Sequence, residues 1–193
     1  MTWPGFSNHV SRNRSDPPRS FSADTPPRYD PGRHPIPANP TSGRQNNQGF
    51  EGLTISPNGQ VLYVMLQSAG RQEGGKNNPT RWHTRLLRYR VDVVPPIFEA
   101  EFVVPLPRFT NAAGQLRTAA QSEIHYVSSS QFMILPRDSG VGTGMPDPTS
   151  LYRHIDIFDI SSATNIRRTK FENTNGSIAT GWYPSVYTGA APS

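Results

Sequence analysis

NNQGFEGLTISPNGQVLYVMLQSA, Asn46 to Ala69, decides the fold. Phe50 to Ile55 (FEGLTI) alternates well enough for a strand, and Ser56-Pro57-Asn58-Gly59 ends it as a turn, with proline second and glycine last. Gln60 to Gln67 (QVLYVMLQ) is rich in β-branched and aromatic residues and apolar on both faces, as in a buried central strand. After a polar loop, Thr84 to Asp92 and Phe98 to Leu106 complete four strands in sequence order.

The pattern then starts again. Ser122 to Ser128 leads through a Ser-rich turn into Gln131 to Leu135, then a Gly/Pro-rich loop and Tyr152 to Ser161. Seventy positions on, Leu62-Tyr63-Val64-Met65 falls on Phe132-Met133-Ile134-Leu135. At one fewer, Tyr89-Arg90-Val91 falls on Phe158-Asp159-Ile160. Glu51 meets Glu123 if the first turn is two residues longer. Repeated antiparallel strand sets are the sequence pattern of successive β-propeller blades, with an ordinary sandwich as the alternative. The fold expected is all-β: a partial β-propeller of about two four-stranded antiparallel blades with a Pro-rich irregular N-terminal arm. The arm is expected over residues 1–45, the propeller portion over 46–170 and an irregular tail over 171–193. Propellers close with about four to eight blades, so the chain reads as a fragment of a longer protein.

Composition fits extended, turn-rich structure. Hydrophobic residues make up 34 % and there are 20 prolines, nine of them before Gln45. The net charge of +5 is carried almost entirely by arginine, the only lysines being Lys76 and Lys170. Arginine suits contact with carboxylate or phosphate, but these arginines are scattered without interleaved aromatics, which argues against a nucleic-acid partner. Having no cysteine, the chain has no disulfide, thiolate nucleophile or cysteine-bound zinc. No apolar segment of about 18 residues could span a membrane, and Met1 to Asn13 lacks the apolar core of a secretory signal. Asn13-Arg14-Ser15 and Asn175-Gly176-Ser177 match the glycosylation tripeptide.

Five residues could carry chemistry. Glu51 shares strand parity with Leu53 and Ile55, placing it beside an apolar face, where a carboxylate is costly without a cation, a metal or backbone donors. It is either hydrated at the strand mouth or aimed at a ligand. Glu123 and His125 form an i, i+2 pair, and a hairpin would bring them near Arg137 and Asp138. Such a group suits a hard cation or acid/base work, and Glu123 with Arg137 equally suits a cross-strand ion pair. Asp156 and Asp159 face opposite sides of their strand. No nucleophile elbow, H-E-x-x-H, Walker or EF-hand sequence occurs. Arg33-His34-Pro35 lacks the glycine and second arginine of a phosphatase histidine signature, and the glycine-rich loop from Asp138 to Gly144 opens no helix to cradle phosphate.

NNQGFEGLTISPNGQVLYVMLQSA, TRLLRYRVD, VVPLPRF, AQSEIH, RDSGVGTG and YRHIDIFDIS, in that order, resemble the fungal phytase-like domain family, described as "esterase-like activity of phytase". The resemblance runs from roughly Arg28 to Arg168. It implies a β-propeller-type fold, a usually secreted protein and a hydrolase acting on phosphate or carboxylic esters, with a small-molecule ester as substrate. Carried over, the site residues are Glu51, Glu123 and Asp138, with His125 and Arg137 beside them. The mechanism it leads us to expect is metal-assisted: the three carboxylates hold Ca²⁺ or another divalent cation, with no organic cofactor, and Arg137 offsets developing charge. The competing readings are a non-catalytic propeller and an inactive fragment. The chain departs from the family pattern at Arg88 and Arg90, where acids are common, and at Pro136 before the Arg-Asp pair.

Overall fold

The computed structural model describes residues 41–142 and 144–172. Most of the expected arm and tail, both glycosylation tripeptides and Arg33-His34-Pro35 lie outside these residues. Within them the chain is built from antiparallel strands and short 3-10 turns, with no α-helix.

The first sheet is a meander of β1 (Phe50–Ile55), β2 (Val61–Leu66), β3 (His83–Arg90) and β4 (Ile97–Pro105), in that spatial order. Its first turn forms as the sequence predicts. The Gly59 amide donates to the Ser56 carbonyl at 2.8 Å with Gly59 at φ 71°, and the Val61 amide donates to Ser56 Oγ at 2.9 Å. A small hairpin follows, β5 (Arg108–Thr110) with β6 (Leu116–Thr118), which carries no clear alternation and is absent from the sequence expectation. β7 (Ala120–Tyr126), β8 (Gln131–Arg137) and β9 (Asp156–Asp159) make a second sheet of three strands rather than the four of a complete second blade. The last strand is also shorter than expected, because Tyr152 to Ile155 belong to the loop anchored on Asp138.

Both sheets contribute one side to a shared core. Tyr63, Met65, Leu86, Phe102 and Val104 of the first meet Ile124, Phe132 and Ile134 of the second, each large apolar side chain contributing about 1.5–3 kcal/mol by its burial. β1 and β7 run side by side in the same direction: Gly52 lies against Ile124, and the Tyr126 amide donates to Thr54 Oγ1 at 3.1 Å.

The internal repeat is exact in hydrogen-bond register. Leu62 pairs with Ile55 and Tyr89, and seventy positions on Phe132 pairs with Tyr126 and Phe158. The turn bond from the Ser56 amide to the Val61 carbonyl recurs from Val127 to Gln131, and that from Val91 to Gln60 recurs from Ile160 to Ser130. The spacing is therefore 71 positions in the first strand, 70 in the second and 69 in the third, which corrects the placement of Glu51 on Glu123: Glu51 maps to Ser122, and Glu123 to Gly52.

This register settles how the sheets stack. Tyr63 and Met65 point from the first sheet into the shared core, but their counterparts Met133 and Leu135 point away from it, Leu135 being 46 % exposed. Conversely, Phe132 and Ile134 point into the core while Leu62 and Val64 pack on the far face of the first sheet, around Leu66, Leu87, Tyr89 and Phe98. The repeats are stacked front to back, not front to front as in a two-fold sandwich.

Gly52 permits this approach. A Cβ there would lie 2.8 Å from Ile124 Cγ2 and 2.9 Å from Gln121 Oε1. Gly52→Ala is expected to destabilise the chain by about 1–3 kcal/mol through overpacking, read as a lower urea midpoint at unchanged slope. A loss below 0.5 kcal/mol, the ordinary range for a surface change, would show that the two sheets are not in this contact.

Candidate active site at the strand mouths

Glu51, Glu123, Arg137 and Asp138 lie toward the ends where β1 and β7 begin and β2 and β8 finish, and His125 lies at the far end of β7. Glu51 is the extra residue of a β-bulge: Phe50 pairs with Leu66 and Gly52 with Met65, leaving Glu51 without a cross-strand partner. A second bulge lies at the corresponding place in β7, where Gln121 pairs with Pro136 and Ile124 with Ile134, so that Ser122 and Glu123 share the span of one opposing residue. Bulges bend a strand and re-aim a side chain, and they are frequent beside active sites. The parity argument for Glu51 fails because the face it names is open to solvent. Glu51 is exposed, and Leu53 and Ile55, whose face parity would give it, are themselves 60 % and 48 % exposed.

Glu51 is positioned by Gln67, whose Nε2 donates to Glu51 Oε2 at 2.9 Å. The Gln67 carbonyl in turn accepts from the Gln121 amide at 3.1 Å, and Gln121 Nε2 donates to the Met65 carbonyl at 3.0 Å. Two glutamines thus tie the mouth of the first sheet to that of the second. The side-chain oxygens of both, Gln67 Oε1 and Gln121 Oε1, are buried without a partner, and a buried acceptor left unmatched costs free energy until a donor reaches it. Neither glutamine stands out in sequence. Gly52 was the available signal for the first bulge, since glycine inside a strand marks a bulge or a close approach.

Glu123 is exposed, with Oε1 accepting from the Ile124 amide at 2.9 Å. His125 is not beside Arg137. It pairs with Met133, whereas Arg137, four residues farther along β8, pairs with Ala120; at roughly 3.3 Å per residue the two rows are about 13 Å apart. Nor does an ion pair join Glu123 to Arg137 among the described residues. Arg88 and Arg90 approach Glu99 at 3.3 and 3.7 Å in surface pairs, which contribute little.

Asp138 has a different task from the one expected. It accepts from the amides of Gly140 (2.9 Å), Leu151 (2.5 Å) and Tyr152 (2.9 Å) and from the Ser150 side chain. Partial burial raises its pKa, but these hydrogen bonds outweigh that and hold it below the ordinary carboxylate value. The contacts use about as many lone pairs as a carboxylate offers, and they close the loop between β8 and β9. Glu51, Glu123 and Asp138 therefore do not fit a divalent ion held by all three. Among the described residues, no three His, Asp or Glu side chains stand close enough to hold a metal. What the mouth does present is two exposed carboxylates on neighbouring bulges, two unmatched amide oxygens and an exposed arginine.

A family model described as "Phytase-like: Esterase-like activity of phytase" matches residues 11–181. This chain belongs to the phytase-like family. A curated relative, an uncharacterized secreted protein of Arthroderma benhamiae, is 43 % identical to this phytase-like chain over 166 residues, covering 83 % of the chain and 32 % of the relative. The chain thus spans about a third of that relative's length. No solved structure matches it. Among the described residues no helix is long and apolar enough to cross a membrane.

Proposed function

We propose that this chain supplies part of an extracellular ester hydrolase, in which the front-to-back repeats continue as the blades of a β-propeller and the strand mouths bearing Glu51 and Glu123 line the site. The observation that carries this reading is the pair of matching bulges, each turning a glutamate outward at the start of neighbouring first strands. One carboxylate acts as general base toward water attacking a phosphoryl or acyl centre, the other steadies the substrate's hydroxyl groups, and Arg137 draws in an anionic substrate. The secreted relative supports an extracellular setting.

The test is hydrolysis of a phosphomonoester and of a carboxyl ester by the longer protein that contains this region. Glu51→Gln and Glu123→Gln are each expected to lower kcat by about 10²-fold or more, the range for loss of a general base, without shifting the thermal midpoint. Full activity in both variants would sink the assignment. Because Glu51 and Glu123 both stand open to solvent, a second reading applies to the chain alone: it carries part of a site and turns over nothing until the remaining walls are present.

A further inference from the structure

Arg85 of β3 is paired with Glu73 and Glu101 in a buried cluster, but three arginines near the strand mouths have no such partner. Among the described residues, no carboxylate lies within ion-pair reach of Arg81, Arg108 or Arg117. Arg81 is half-buried, and its Nε is closed off from solvent without an acceptor. A buried guanidinium N–H left unmatched costs free energy until an acceptor reaches it.

Two neighbouring segments bring these arginines together. Arg81 lies just before β3, and its carbonyl accepts from the Ala69 amide at 3.0 Å, beyond the end of β2. Arg108 and Arg117 belong to the β5–β6 hairpin, where Arg108 pairs with Thr118 and Phe109 with Arg117. The hairpin is tied to the segment before β3: the Thr118 amide donates to Asn78 Oδ1 and Thr118 Oγ1 to the Asn78 carbonyl, both at 2.7 Å. The Leu106 amide likewise donates to the Trp82 carbonyl at 2.6 Å. Alternation sends Arg108 and Arg117 to opposite faces of the ribbon. Arg108 lies over the Trp82 ring, its Cζ 4.5 Å from the centroid. Arg117 Nη2 donates to Gln115 Oε1 at 2.5 Å, a neutral partner that leaves its charge in place. Burial, and then the charge of Arg117, lower the Arg81 pKa. Burial, and then the charge of Arg108, lower that of the buried His83 to about 4, so the imidazole stays neutral.

We propose that Arg81 and Arg117 form a binding site for a small oxyanion at the base of the β5–β6 hairpin, with Arg108 adding its charge from beside Trp82. Guanidinium N–H groups match the oxygens of a phosphate or a carboxylate in direction and in charge. An oxygen of the anion accepts from the unmatched Arg81 Nε, and its negative charge offsets the repulsion between Arg81 and Arg117. Trp82 holds Arg108 by a cation–π contact. The site is separate from the two exposed glutamates, and it holds an anion whether or not Glu51 and Glu123 act on an ester.

The test follows the arginine Nε–H resonances of the whole chain by NMR while inorganic phosphate or succinate is added, sodium chloride keeping the ionic strength constant. The Arg81 and Arg117 signals are expected to shift and saturate, and that of Arg90, at the other end of β3, to stay in place. Saturation by phosphate alone assigns a tetrahedral oxyanion, and saturation by succinate assigns a carboxylate. Arg81→Gln and Arg117→Gln are each expected to weaken binding about 10-fold or more, the effect of losing a charge-assisted hydrogen bond. No saturable shift with either anion, an equal shift at Arg90, or native affinity in either variant would overturn the proposal. Nothing is turned over in this titration, so its failure leaves the hydrolase reading standing, and inactive glutamate variants leave the anion site standing.

Discussion

Replacing Arg85 with methionine is expected to destabilise the chain by about 3–5 kcal/mol at pH 8, the usual cost of stranding a buried charge partner. Methionine fills the space left by the aliphatic stem but leaves Glu73 and Glu101 facing each other in a site closed to water. Burial alone would lower the Arg85 pKa, yet Glu73 and Glu101 more than offset it and hold the guanidinium protonated. Removing it takes away the pull that opposes the rise of Glu101. The variant should therefore lose less at pH 5, where Glu101 can take up a proton, than at pH 8. Urea titrations at the two pH values check this. A loss below 1 kcal/mol at pH 8, or an equal loss at both, would show that the cluster does not hold the first sheet to the turn at Arg71–Glu73.

The cluster is illegible in sequence, because Glu73, Arg85 and Glu101 are far apart along the chain and nothing in their spacing predicts a meeting. What is legible is local. The β1–β2 hairpin, the order of the first four strands and the second- and third-strand spacings of the repeat all follow from alternation, β-branched content and a Pro-Asn-Gly turn, which act within a few residues. The bulges escape because one inserted residue reverses every parity beyond it. Neither failure at Glu51 comes from the bulge: its assigned face lies open to solvent, and its alignment with Glu123 fails because the first turn is one residue longer than the second, not two. Asp138 stands out in sequence, but a carboxylate closing a loop on backbone amides and one holding a cation share the same local pattern. Family likeness marks the region and does not separate those roles.

Phe132→Ala is expected to cost about 3–5 kcal/mol, the range for a buried aromatic truncated in a core that cannot close around the space. Phe132 has no exposed surface, and its ring lies 4.6 Å from that of Tyr63 across the two sheets and 5.3 Å from that of Phe158 beside it. Because the stacking is front to back, the repeat makes a sharper comparison. Met65 is fully buried and its counterpart Leu135 is half exposed, although the two occupy the same place in their respective sheets. In this chain Met65→Ala should cost about 2–5 kcal/mol, while Leu135→Ala should stay within about 0.5 kcal/mol. In the longer protein, a following blade would cover the face that holds Met133 and Leu135 and give Leu135→Ala the cost of a core truncation. Calorimetric melts of both variants in both lengths decide the point. If Leu135→Ala remains near neutral in the longer protein, the stack ends with this second sheet and the propeller reading fails, whatever the two glutamates do.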